Sequence, residues 1–84
     1  MNDYRKTLAL IAPGLLSSDA EVWMSETCFG RLRSTLEQVM SLGIEFELLR
    51  AVETPTGLDL QYRAYGTGPA KMQADRLMLA LCNI

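Results

Sequence analysis

Residues 44–65 read IEFELLRAVETPTGLDLQYRAY, and the fold turns on this stretch. Ile44, Phe46 and Leu48 alternate with Glu45 and Glu47, the period of a strand buried on one face. The phase slips at Leu49, and Ala51 and Val52 follow, which predicts a bulge or a second buried face. Thr54-Pro55-Thr56-Gly57 has proline second and glycine fourth, the type I turn pattern. Beyond it Leu58, Leu60, Tyr62 and Ala64 alternate with Asp59, Gln61, Arg63 and Tyr65. Two alternating runs around a short turn predict an antiparallel hairpin.

The flanking segments have a helical period. Tyr4, Leu8, Ile11 and Leu15 predict a short helix over Asn2–Ala12, with Asn2 or Asp3 accepting from its first amides. Pro13-Gly14 ends or bends it. Ser18 and Glu21 have the spacing of a capping box. That pair predicts a long helix from Asp19 toward Leu42, closed by Gly43. Its later half carries Phe29, Leu32, Leu36, Val39 and Met40 on one face. Thr27, Cys28 and Gly30 are poor helix formers, so a kink or break is expected within Ser25–Gly30. After Gly66-Thr67-Gly68, Pro69 suits the first position of a final helix. There Ala70, Ala74, Leu77, Leu81 and Ile84 keep a seven-residue repeat. Past Arg76 this helix is apolar all round, which places it centrally in the core or against a partner.

The expected architecture is therefore α+β, in the order helix, helix, strand, strand, helix. An antiparallel β-hairpin carries helices on one face, and residues 1–84 make one domain. A lone two-stranded sheet is marginal. Packed helices can hold it, or two copies can pair their edge strands into a four-stranded sheet.

Composition narrows the function. Of 84 residues, 49% are hydrophobic and 21% charged, with a net charge of −2; this is a globular balance. Neither an export signal nor an apolar run of spanning length is evident, which predicts a cytoplasmic protein without a membrane role. Histidine is absent, which removes the usual general base and the commonest metal ligand. Cys28 and Cys82 are 54 positions apart and read as reduced, buried thiols. No metal, cofactor or catalytic residue is expected, so the chain reads as a binder and not an enzyme. The Gly66-Thr67-Gly68-Pro69 segment reads as a turn and helix start, because Pro69 removes an amide that a phosphate loop needs. Scattered basic residues and an acidic balance disfavour direct nucleic-acid binding.

Two surfaces are candidates for binding. The acidic hairpin residues Glu45, Glu47, Glu53 and Asp59 read either as a solvated outer sheet face or as a docking face for another protein that carries a basic, nucleic-acid-binding surface. Trp23, on the early turn of the long helix, either packs in the core or anchors that partner. Leu77, Met78 and Leu81 of the final helix suit self-association as a homodimer. In size, charge and architecture the chain resembles the small inhibitors and regulators encoded by phages and mobile elements, anti-CRISPR proteins among them. That resemblance implies a non-enzymatic protein-binding inhibitor or regulator of a larger macromolecular complex. The alternatives are a nucleic-acid-binding transcriptional regulator using Arg31 and Arg33, and a small-ligand carrier with an apolar pocket between hairpin and helices.

Overall fold

The hairpin forms where the alternation places it. In a computed structural model describing residues 2–66 and 68–82, strands β3 (Glu45–Thr54) and β4 (Gly57–Tyr65) pair antiparallel from Glu45↔Tyr65 to Thr54↔Gly57. Thr67 of the expected turn and Ile84 of the expected repeat lie outside the described residues. Leu49 is the bulge residue, since Leu48 faces Tyr62 and Arg50 faces Gln61. Gly57 has φ 145°, and a Cβ there would stand 3.2 Å from the carbonyl oxygen of Cys82. Glycine thus supplies both the turn conformation and the room for the end of the last helix.

The remaining elements, in chain order, are β1 (Asn2–Asp3), α1 (Arg5–Ile11), a 3-10 turn (Pro13–Leu15), β2 (Leu16–Met24), α2 (Glu26–Ser41) and α3 (Pro69–Cys82). The protein is α+β, and its described residues form a four-stranded mixed sheet in the order β1-β2-β3-β4. β1 pairs antiparallel with β2, and β2 pairs parallel with β3. The chain between Met24 and Glu45 holds α2, the crossover that a parallel pair requires.

The expected helix from Asp19 toward Leu42 is corrected. Its first part is strand β2, so the expected order gains a strand between its first two helices, and Asn2 and Asp3, expected in the first helix, form strand β1 ahead of it. Ala20, Val22 and Met24 are buried while Asp19, Glu21 and Trp23 are exposed, the two-residue period of a strand with one dry face. Ser18 and Glu21 do not cap a helix. The helix starts within the segment expected to break: Ser25 is the N-cap of α2, and its hydroxyl accepts from the Cys28 amide at 3.3 Å. At the other end Gly43, at φ 70°, donates its amide to the Met40 carbonyl at 3.2 Å, as a helix-closing glycine does. Removing the true cap should cost about 1–2 kcal/mol, so Ser25→Ala should lower the urea midpoint measurably. Ser18→Ala should stay within about 0.5 kcal/mol of wild type. Equal losses in the two variants would contradict the observed boundary.

All three helices contribute to one core on one side of the sheet. Leu8 of α1, Phe29, Leu32, Leu36 and Val39 of α2, and Met78 and Leu81 of α3 pack with Val22, Met24, Phe46, Leu48, Ala51 and Leu58 of the strands. Tyr4 stacks on Phe29 at 4.0 Å, and Phe46 on Tyr62 at 5.4 Å. Asp3 accepts the Arg5 amide at 2.9 Å, fixing the start of α1. The self-association surface is also corrected. Met78 and Leu81 are 1% and 4% exposed and belong to this chain's own core, with Leu77 at its margin. The large apolar side chains that α3 exposes are Met72 and Leu79.

Candidate protein-binding face

With the helices on one side, strand alternation sends a second set of residues to the opposite side. Glu21 and Trp23 of β2 are in register with Arg50 and Val52 of β3. Those two face Gln61 and Asp59 of β4. Glu47 faces Arg63, and Glu45 faces Tyr65. Trp23 is 47% exposed and Tyr65 52% exposed. An indole beside Val52 on an open sheet is an amphipathic anchor of the kind that binding hot spots use.

The charges on this face are ordered. Arg50 reaches across three strands: its Nη1 donates to Glu21 Oε2 and its Nε to Asp59 Oδ2, both at 2.8 Å. Those bonds, Asp59 first, hold the guanidinium proton more tightly than usual. Arg63 lies 4.0 Å from Glu47. Five strand carboxylates, Asp19, Glu21, Glu45, Glu47 and Asp59, accompany the strand guanidiniums Arg50 and Arg63, so the acidic excess expected from sequence persists after pairing.

Of the residues expected to bind a partner, the structure brings Glu45, Glu47, Asp59 and Trp23 to one face and removes Glu53. After the bulge Glu53 pairs with Leu58, on the core side. Its Oε1 accepts from the Ser25 amide at 2.9 Å and the Ser25 hydroxyl at 2.8 Å. Those donors, the amide first, hold its carboxyl below the usual range. Glu53 thus anchors the start of α2 to the end of β3. Because its folded pKa is depressed, its contribution is present above the unfolded value and is lost as pH falls through the folded value. Sequence reasoning passed over Arg50 and Val52 as site residues. Their signal is the phase slip at Leu49, which turns both outward.

Other candidate chemistry is dispersed. Burial, and next the charge of Glu53, pushes the Cys28 thiol up; burial, and next Asp59, pushes up Cys82. Neither thiol is activated as a nucleophile. Among the described residues no cluster of three or more metal-ligating side chains occurs, and no helix is long and apolar enough to cross a membrane. Arg31 and Arg33 are both exposed on α2, and Arg33 lies 3.5 Å from Glu37. A hollow of about 390 Å³ at the start of α2 is lined by Ser25, Cys28, Arg31, Glu53 and Thr56 among others. Its one carboxylate already serves Ser25.

Behind the sheet, Tyr62 of β4 donates its hydroxyl to Asp75 of α3 at 2.8 Å, and Lys71 donates to the other Asp75 oxygen at 2.9 Å. Burial first, then this bond, pushes the Tyr62 phenol up to about 12. A folded pKa above the unfolded value of about 10 stabilises the fold fully below pH 10. That contribution should fade between pH 10 and about 12. Tyr62→Phe should flatten this part of the urea-midpoint profile; an unchanged alkaline slope would show that Tyr62 does not cause it.

Compared with protein-family models, with curated proteins and with solved structures, the chain has no significant match.

Proposed function

We propose that the chain is a non-enzymatic protein-binding module, an inhibitor or regulator that docks its open sheet face on a basic surface of a larger macromolecular complex. The observation that carries this reading is the half-exposed Trp23 beside Val52, set among more carboxylates than guanidiniums on a face that, among the described residues, no helix covers. An aromatic anchor supplies contact area at low entropic cost. The surrounding charge supplies steering and selects against acidic partners. A basic surface built for nucleic acid is the natural complement, in keeping with the resemblance to small acidic inhibitors of phages and mobile elements.

The test begins with affinity purification of the tagged chain from its host and identification of the protein that co-purifies. That protein is then titrated by calorimetry with wild type, Trp23→Ala and the double variant Glu45→Arg/Glu47→Arg. Loss of a hot-spot side chain should weaken binding at least tenfold, about 1.4 kcal/mol or more. The charge-reversed variant should bind more weakly at low salt and approach wild type as salt rises. Unchanged affinity in both variants rejects the face. Recovery of nucleic acid instead of a protein favours the regulator that acts through Arg31 and Arg33.

A further inference from the structure

Among the described residues β4 forms a long unpaired edge of the sheet. β4 pairs with β3 on one side only and borders the sheet over all nine of its residues, Gly57–Tyr65. The opposite border is β1 beside Trp23 and Met24, and the outer side of β2 along the rest of that strand. Natural sheets protect such edges with charged side chains, proline, a bulge, a short strand or a covering element, and β4 carries the first of these in Asp59 and Arg63. β4 has no proline, and its interior, Leu58–Tyr65, has no glycine. The bulge of the hairpin lies on β3, at Leu49.

We propose that this edge pairs antiparallel with the same edge of a second copy of the chain, centred on Gln61, joining two four-stranded sheets into one of eight strands. The sequence of β4 is self-complementary about that centre. Asp59 falls opposite Arg63 of the second copy, and Arg63 opposite its Asp59, on the open face. Gln61 meets Gln61, and Gly57 meets Tyr65. On the core side Leu58 meets Ala64 and Leu60 meets Tyr62. Opposite charges directly across a strand pair are favourable and like charges unfavourable. Other registers lose this match. Moving the centre to Leu60 puts Asp59 opposite Gln61; moving it to Tyr62 puts Asp59 opposite Tyr65. Parallel pairing in register sets Asp59 beside Asp59 and Arg63 beside Arg63. Pairing about a two-fold axis at Gln61 uses the whole β4 edge of both copies at once, so this contact gives an isologous dimer.

The exposed side of α3 supports the same partner. Leu77 and Ala80 line a depression with Arg31, Ser34 and Gln38 of α2, so that flank of α3 looks toward α2. Asp75 is on the other flank, bonded to Tyr62 of β4. Met72, Asp75, Leu79 and Cys82 follow i, i+3, i+7 and i+10 and form one line along the helix. Met72 and Leu79, 58% and 64% exposed, therefore lean to the border side of the sheet. A second copy joined at β4 brings its own α3 alongside and covers them.

The test uses sedimentation equilibrium over micromolar to submillimolar concentration, with circular dichroism to verify that each variant is folded. Wild type should approach twice the 9.4 kDa chain mass. Arg63→Asp and Asp59→Arg each create two like-charge oppositions, so each alone should sediment as a monomer, with dimer affinity weakened at least tenfold. Mixed one to one, the two variants restore both oppositions as attractions and should recover the dimer. Independently, Gln61→Cys should form a disulfide-linked dimer under mild oxidation, because the two positions face each other at the centre. Monomeric wild type throughout the range overturns the proposal. So does a dimer that both charge variants leave intact, or a mixture that stays monomeric while wild type dimerises.

Discussion

Met78→Asp is expected to abolish cooperative folding. Met78 is 1% exposed in the α3 face that meets the sheet and α2. Truncating a buried methionine alone costs about 2–5 kcal/mol. A carboxylate in its place adds an unpaired buried charge, or a raised pKa and a buried polar group if it protonates. A domain of this length has a total stability of about 4–13 kcal/mol at the usual value per residue. The combined cost therefore consumes most or all of it. One residue further along, Leu79→Asp should stay within about 1 kcal/mol of wild type at concentrations where the chain is monomeric, because that side chain is exposed in the single chain and aspartate loses mainly helix propensity. Far-UV circular dichroism and urea denaturation decide between them. A Met78→Asp protein that melts cooperatively at the wild-type midpoint would show that α3 does not seat this residue in the core.

The adjacent positions differ so sharply because the apolar run of α3 hides its own direction. From Leu77 to Cys82 every residue is apolar, so hydropathy alone fixes no buried stripe. The seven-residue repeat selects Ala74, Leu77 and Leu81. The structure buries Ala74, Met78 and Leu81 and leaves Leu77 at the margin. The clue lies upstream. Lys71 and Asp75 form an i,i+4 ion pair on the flank beside β4, so the helix must turn Ala74 and Met78 inward.

The hairpin was legible because three independent local signals agree there: alternation on both sides, Pro55 with Gly57 in the turn, and the slip at Leu49. β2 was not. Its alternation is carried by Ala20, Val22 and Met24, and only valine among them is a strong strand former. Against it stands Ser18 with Glu21, whose spacing imitates a helix start. What decides is non-local: β2 lies in register along β3, Val22 beside Ala51 and Trp23 beside Val52. A single sequence does not display that partner. The candidate face inherits the same history. Its β3 and β4 members follow from the hairpin, while Glu21 and the outward direction of Trp23 follow only once residues 16–24 are a strand.

Leu48→Ala is expected to cost about 2–5 kcal/mol, and Leu49→Ala less than half of that. Leu48 has no exposed surface and lies between Leu16 of β2 and Tyr62 of β4, so its loss leaves a cavity at the centre of the sheet. Leu49 is only partly buried and occupies the bulge. The reason for the bulge is written in the next residue. Strict alternation from Phe46 and Leu48 would direct Arg50 into the core, where an unpaired guanidinium is prohibitively costly. One extra residue sends Arg50 outward to Glu21 and Asp59, and turns Ala51 inward beneath the helices. Urea midpoints of the two variants test this directly. Comparable losses at 48 and 49 would mean that both leucines are core residues. The outward phase of Arg50 and Val52, on which the open face depends, would then be wrong.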